Sequence, residues 1–183
     1  MEAQPELHSP RLILRAFNTN DAAQVQALAG DERIADTTAH IPHPYPADAA
    51  INWISTHANA WQTGEAVVYA IILNAGQTLI GAISIIRIHQ QQAEIGYWIG
   101  VPFWGKGYAT EALQTIIKFA FKQLRLKRLS ANYLQRNPAS GRVLTKAGMQ
   151  CCGEGKLDCG YRHENEPVYF YEISSKELHN ETA

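Results

Sequence analysis

The stretch Trp104-Gly105-Lys106-Gly107-Tyr108-Ala109-Thr110-Glu111-Ala112 constrains this chain more than any other, because it joins a β-rich run to a long amphipathic helix. Ahead of it stands Ala93-Glu94-Ile95-Gly96-Tyr97-Trp98-Ile99. Behind it Ala109, Ala112, Leu113, Ile116, Ile117, Ala120, Phe121 and Leu124 recur at three- and four-residue spacing, so one helical stripe faces a core. Gly105 and Gly107 permit a tight turn and a close approach to a ligand, and the helix beginning there aims unpaired N–H groups and a positive dipole end outward. A pyrophosphate fits such a corner. An ordinary tight turn is the alternative reading of the same glycines. No G-x-x-x-x-G-K-[ST] is present, and Thr110 stands where the third glycine of G-x-G-x-x-G would be, so neither triphosphate nor dinucleotide cradles are indicated.

With 183 residues and 46% hydrophobic content, the chain can bury one sizeable core, and nothing in it calls for a second domain. Its formal net charge of −1 offers no general attraction to nucleic acid or anionic membrane, so phosphate binding has to be local. No apolar run reaches membrane-spanning length. The start, Met1-Glu2-Ala3-Gln4-Pro5-Glu6, is acidic and polar where a signal peptide is basic and then apolar, which leads us to expect a cytoplasmic protein. Cys151, Cys152 and Cys159 lack Cys-x-x-Cys spacing, so buried free thiols are expected rather than a disulfide frame or a zinc site, and no metal is indicated.

Along the chain, Arg11 to Phe17 reads as a first strand. Thr19 or Asn20 can cap a helix carrying Ala22, Val25, Leu28 and Ala29, with Gly30 as its stop. The loop Ile41-Pro42-His43-Pro44-Tyr45-Pro46 follows, and Pro46 opens a second helix with Ala50, Ile51, Ile54, Ala58 and Trp61 on one face, ending near Gly64. Val67 to Leu73, Thr78 to Ile88 and Ala93 to Ile99 form a three-strand meander. After the long helix come a strand from Arg128 to Leu134, a short helix from Pro138 to Ala147 ended by Gly148, and strands around Met149 to Leu157 and Val168 to Ile173. Residues 174–183 are expected to be a frayed tail.

This order of elements, together with Ser9-Pro10-Arg11-Leu12-Ile13-Leu14-Arg15, the Ala93 to Ile99 run, the Trp104 to Ala112 corner and Asn137-Pro138-Ala139-Ser140-Gly141-Arg142-Val143-Leu144-Thr145-Lys146-Ala147-Gly148-Met149, resembles the GCN5-related N-acetyltransferase (GNAT) superfamily. Within it the chain looks like the RimJ/RimL N-terminal acetyltransferases of ribosomal proteins. The resemblance implies an α+β fold: a mostly antiparallel twisted sheet of about seven strands, splayed in the middle and flanked by about four helices. One domain would span residues 9–175, with 1–8 and 176–183 as terminal extensions.

The resemblance further implies acetyl-CoA as acetyl donor, lying in a V-shaped gap where Ala93 to Ile99 splays from Arg128 to Leu134, its pantetheine arm pairing like an added strand. The donor-contacting positions are then Ile99, Gly100, Val101, Trp104, Gly105, Lys106, Gly107, Tyr108, Ala109, Thr110, Asn137 and Ser140. The superfamily usually has Arg or Gln where this chain has Trp104, which shifts the burden onto backbone N–H groups. Acetyl transfer needs a deprotonated amine, a stabilised thioester oxygen and a proton for the departing thiolate. Ser140 matches the proton-donor position, and a backbone N–H near Ile99 to Val101 suits the oxygen. Helix capping is the alternative role for Asn137 and Ser140. Glu94 matches a catalytic glutamate, with a solvent-face or arginine-paired carboxylate as the alternative. Asp158 is a second candidate base.

For the acceptor side, His40, His43 and Tyr45 on the proline-rich loop and Trp53 and Trp61 on the helix after it are placed near the mouth. The implied acceptor is a primary amine, in this subgroup a protein N-terminus such as that of a ribosomal protein. Amino acids, polyamines and antibiotics are the small-molecule alternative, and a non-catalytic CoA-binding sensor is the alternative outside enzymes. No direct nucleic-acid or membrane partner is expected, and the protein would be a monomer or homodimer.

Overall fold

The computed structural model describes residues 3–159 and 165–180. Among these, eight strands form one sheet in the order β1-β2-β3-β4-β5-β6-β8-β7. They are β1 (Leu7–His8), β2 (Leu12–Ala16), β3 (Val67–Leu73), β4 (Thr78–His89), β5 (Gln92–Ile99), β6 (Arg128–Leu134), β7 (Gln150–Leu157) and β8 (Glu166–Ser174). The helices are α1 (Ala22–Ala29), α2 (Glu32–Thr37), α3 (Ala49–Ser55), α4 (His57–Thr63), α5 (Tyr108–Lys122), α6 (Pro138–Lys146) and α7 (Ser175–Asn180). Every neighbouring pair is antiparallel except β5 and β6.

The mixed α/β architecture agrees with the expectation, but the element count does not. The eighth strand is β1, two residues that pair Leu7 with Leu14 and His8 with Ile13, so the assigned N-terminal extension enters the sheet. Two residues carry no readable alternation. The unforeseen α2 has six residues and is capped by Asp31, whose carboxylate accepts the Arg33 N–H (3.0 Å). It is too short for a periodic stripe, with only Ile34 and Ala35 buried.

Three boundaries also shift. The cap before α1 is Asn18, which holds a short 3-10 turn, Thr19–Asp21, in a capping box with Asp21. The single helix read from Pro46 starts at Ala49 and breaks at Thr56 into α3 and α4. Ser55 and Thr56 hydroxyls donate to the Asn52 and Trp53 carbonyls there, competing with the backbone ladder. Instead of a frayed tail, residues 175–180 form α7. Glu177 Oε2 accepts the Ser174 N–H (2.6 Å) and hydroxyl (2.8 Å), a capping arrangement written in the sequence as Ser-x-x-Glu. Residues 181–183 of the expected tail lie outside the described residues.

The core lies on both faces of the sheet. On one face α5 and α6 cover Leu12, Leu14, Tyr69, Ile71, Ile83, Ile85, Ile95 and Leu129, with Leu113, Ile116, Ile117, Ala120 and Leu144 as the helical half. On the other, Val25 and Ala29 of α1 and Ala50 and Ile54 of α3 pack on Ala70, Ile72 and Leu79. A third cluster, Leu134, Cys159 and Val168 with Ala39, sits beyond β6. The cysteine expectation is corrected in part: all three are free, but Cys151 and Cys152 are exposed on β7, a strand at the edge of the sheet. Only Cys159 is buried. Among the described residues no helix is long and apolar enough to cross a membrane.

Candidate active site

The parallel pair at the centre of the sheet is short. β5 and β6 register only at Gln92 with Arg128, Ala93 with Leu129 and Glu94 with Ser130; beyond that point β5 pairs with β4 alone and β6 with β8 alone. A gap therefore opens between residues 95–99 and residues 131–134. Its β5 wall can be worked out from the antiparallel alternation. The Gly100 N–H donates to the Ile80 carbonyl (2.8 Å) on the β4 side, so the backbone groups of Tyr97 and Ile99 point the other way, into the gap. The Trp104 indole N–H donates to the Ile99 carbonyl, as that direction requires. Of the three N–H groups anticipated for the thioester oxygen, that of Gly100 is thus committed to the sheet.

At the open end of β5 the chain turns through a short 3-10 segment, Val101–Phe103, into the glycine corner. Gly105 and Gly107 have φ of 74° and 80°, the left-handed region that glycine enters without a Cβ penalty. Gly107 is the cap residue of α5, and Glu111 N–H is the first to reach an intrahelical acceptor, Gly107 O (3.1 Å). The N–H groups of Tyr108, Ala109 and Thr110 therefore lie within the turn whose donors an α-helix leaves unpaired. Together with the dipole end they form a helix start able to receive an anion. Lys106 folds back on its own loop, donating to the Pro102 carbonyl (3.0 Å) with its ammonium 5.6 Å from the Phe103 ring centre.

Across the gap stands α6. Asn137 caps it by accepting the Ser140 N–H (3.3 Å) and donates its amide to the Thr37 carbonyl (3.2 Å), so it orders the turn. Ser140 Oγ lies 2.7 Å from the Tyr97 hydroxyl. Burial pushes the Tyr97 phenol up to about 12, against a smaller pull from Ser140, so it stays protonated at neutral pH. Tyr97 had no assigned role in the sequence reading. Its signal was the period-2 alternation of β5, which sends Tyr97 with Ile95 to the α5 and α6 side.

Glu94 sits at the apex of the split and belongs to the opposite face, with Gly96 and Trp98. It pairs with Arg87 and accepts from the Asn132 amide (3.4 Å). A hydroxyl pair and a carboxylate thus flank one gap from its two faces, an arrangement able to receive an amine on one side and release a protonated leaving group on the other.

A family model described as an acetyltransferase (GNAT) domain matches residues 11–150. The chain belongs to that family. It is an acetyl-CoA-dependent N-acetyltransferase. The Bacillus subtilis protein called uncharacterized N-acetyltransferase YoaA is 30% identical to it over 167 residues, covering 90% of this chain and 92% of its own. Escherichia coli ribosomal protein uS5-alanine N-acetyltransferase is 24% identical over 164 residues, 82% of this chain and 80% of that one. Among solved structures, Mycobacterium smegmatis RimJ in complex with CoA-disulfide superposes with a TM-score of 0.84 at 22% identity, covering 95% of this chain and 88% of that one, a likeness of fold.

On the acceptor side of this acetyltransferase, the structure separates the anticipated residues. The segment after α2 straddles the split: Ala39 packs with Leu134 and Val168 on the β6 and β8 side, while Ile41 and Tyr45 pack with the α1 and α3 cluster. His40 is exposed between these two anchors. Arg136 and Asn137 hold the start of the segment by donating to the Asp36 (2.9 Å) and Thr37 carbonyls, and Arg136 also pairs with buried Glu166. His43 Nδ1 is 3.2 Å from the Gly30 carbonyl. Trp53 packs edge-on to Phe17, the residue after β2, and to His57, and Trp61 packs against the main core. Asp158 is exposed beside Cys159, at the end of β7.

Proposed function

We propose that the acceptor is a protein N-terminal α-amine, entering on the face that carries Glu94 and the straddling segment around His40. The observation that carries the catalytic reading is the split between β5 and β6 beside the glycine corner. Backbone groups of Tyr97 and Ile99 would pair with the pantetheine amides, and Val101 N–H would face the thioester oxygen. Gly105 and Gly107 with the amides of Tyr108, Ala109 and Thr110 would hold the pyrophosphate, and Trp104 would close the corner. The gap takes an extended amide-bearing arm because it is a strand-shaped vacancy between two sheet edges. Acetyl-CoA supplies the activated acetyl group; the protein's groups supply position and protons.

Ser140, held by Tyr97, carries the proton given to the leaving sulfur. Glu94, paired with Arg87, accepts a proton from the amine, directly or through water. An α-amine with a pKa near 8 is already about a tenth deprotonated at neutral pH, so a carboxylate engaged with an arginine suffices; a lysine near 10.4 asks for more. The name of the Escherichia coli relative, an alanine N-acetyltransferase of a ribosomal protein, supports this acceptor class.

The test is thiol release from acetyl-CoA with a panel of acceptors: a ribosomal-protein N-terminal peptide, the same peptide with a blocked N-terminus and a free lysine, a free amino acid and a polyamine. Turnover with the first and not the second is the expected result. Preference for a polyamine or free amino acid refutes the acceptor assignment, and binding of CoA without turnover of any amine refutes catalysis.

A further inference from the structure

Arg11 lies almost a hundred residues from the glycine corner in sequence and beside it in space. Its guanidinium donates through Nε to Glu111 Oε2 (2.6 Å) and through a terminal nitrogen to the Lys106 carbonyl (3.0 Å). A Cβ placed on Gly107 would be 3.4 Å from the other terminal nitrogen. The guanidinium carbon is 4.7 Å from the centre of the Tyr108 ring. One side chain therefore lies against three successive residues of the corner, Lys106, Gly107 and Tyr108, and a turn later against Glu111.

Glu111 is the reason this matters. It is a carboxylate in the first turn of α5, mostly covered, immediately behind the amides that face the anion site. A carboxylate there favours the helix but opposes any second anion at the same dipole end. Its charge is met by the Ser9 hydroxyl (2.8 Å), the Arg11 N–H (2.8 Å) and the Arg11 guanidinium. Burial raises its carboxyl, and these hydrogen bonds, Ser9 first, pull it below the ordinary range, so it is ionised at neutral pH. The Lys106 carbonyl also presents the negative end of its dipole at the corner, and Arg11 holds it too.

Resting on the acetyl-CoA reading of the corner, we propose that Arg11 is a positioning residue for the donor's pyrophosphate: it cancels the Glu111 charge behind the cradle and fixes the Lys106 peptide so that the following amides face the anion. It acts through Glu111 and the loop backbone. The anion affinity of the corner thus depends on the turn that leads into β2, through an ion pair that closes only when that turn and α5 are packed together.

The experiment compares two donors, acetyl-CoA and acetyl-pantetheine, which carries the same thioester and arm without the pyrophosphate. Arg11→Gln should raise the KM for acetyl-CoA and the calorimetric Kd for CoA on the order of tenfold, with kcat changed less than about threefold and kcat/KM for acetyl-pantetheine unchanged. The double variant Arg11→Gln with Glu111→Gln should bind CoA within about threefold of wild type, because the unpaired charge is gone. Arg11→Lys should fall between wild type and Arg11→Gln, since it keeps the charge and loses the fork.

Equal losses with both donors would show that Arg11 shapes the gap and not the anion site, and would overturn the proposal. So would wild-type CoA affinity in a folded Arg11→Gln protein. Should that variant fail to fold, a tenfold or greater loss of CoA affinity in the folded double variant overturns it as well. Absence of CoA binding by the wild-type protein overturns the donor assignment itself and this proposal with it, an outcome separate from unequal effects of the variants.

Discussion

The hydroxyl of Tyr97 on β5 meets the hydroxyl of Ser140 on α6 at 2.7 Å, across the mouth of the gap that separates β5 from β6. Either atom can be the donor, and Tyr97 Oη also reaches the Ser140 carbonyl at 3.3 Å. The two residues are far apart in sequence, yet they form one hydrogen-bonded unit.

Because they act as a unit, their losses should not add. Tyr97→Phe and Ser140→Ala should each lower kcat by roughly ten- to a hundredfold with a smaller effect on donor KM, and the double variant should be no worse than the poorer single variant. Steady-state kinetics of the three proteins decides it; multiplicative losses would mean two independent roles. Since Tyr97 ionises only at about 12, wild-type activity should show no falling limb from this group below about pH 10.

Glu94→Gln should slow turnover by roughly one to two orders of magnitude at neutral pH, with the deficit narrowing as pH passes the α-amine pKa near 8. A rate profile from about pH 6 to 10 on the best acceptor measures this. An undiminished rate across the range would take Glu94 out of proton transfer and turn attention to Asp158.

Gly107 combines a left-handed backbone with a place at the anion corner. Gly107→Ala should cost about 1–2 kcal/mol of stability through backbone strain. Gly107→Asp should in addition remove most CoA affinity by setting like charges together. Thermal unfolding and calorimetry read the two effects separately. A folded Gly107→Asp protein with near wild-type affinity would sink the cradle.

His57 is buried in contact with Phe17 and Trp53, and among the described residues neither ring nitrogen has a hydrogen-bond partner. Burial pushes its pKa down to about 4. The folded state thus resists a proton that the unfolded chain accepts near 6.5, so stability holds above that pH and falls as pH drops toward 4, by on the order of 2 kcal/mol at pH 5. His57→Leu should flatten this acid-side loss and leave stability at pH 7.5 unchanged or higher, as followed by urea denaturation at both pH values.

How much of this was written in the chain can be judged from particular elements. β3 and β6 were legible residue for residue, because Val67–Leu73 and Arg128–Leu134 are apolar or alternating runs bounded by turn residues. The α5 stripe and the two glycines of the corner were legible for the same reason: a local pattern reports a local conformation. α2 and β1 were not, being too short to hold a period, and α7 was missed although Ser174 and Glu177 spelled out its cap.

The sequence by itself determined the local pieces of the site, namely an unpaired helix start after Gly107, a serine in the first turn of α6 and a glutamate on β5. Only the tertiary structure decided which of them meet. Tyr97 reaches Ser140 because β5 and β6 part after Glu94, Trp53 is drawn into the aromatic packing with His57, and Arg11 arrives at Glu111 from the turn between β1 and β2. Periodicity records which face of an element is buried; it holds no record of the partner across the gap, since that contact depends on packing among strands distant in sequence.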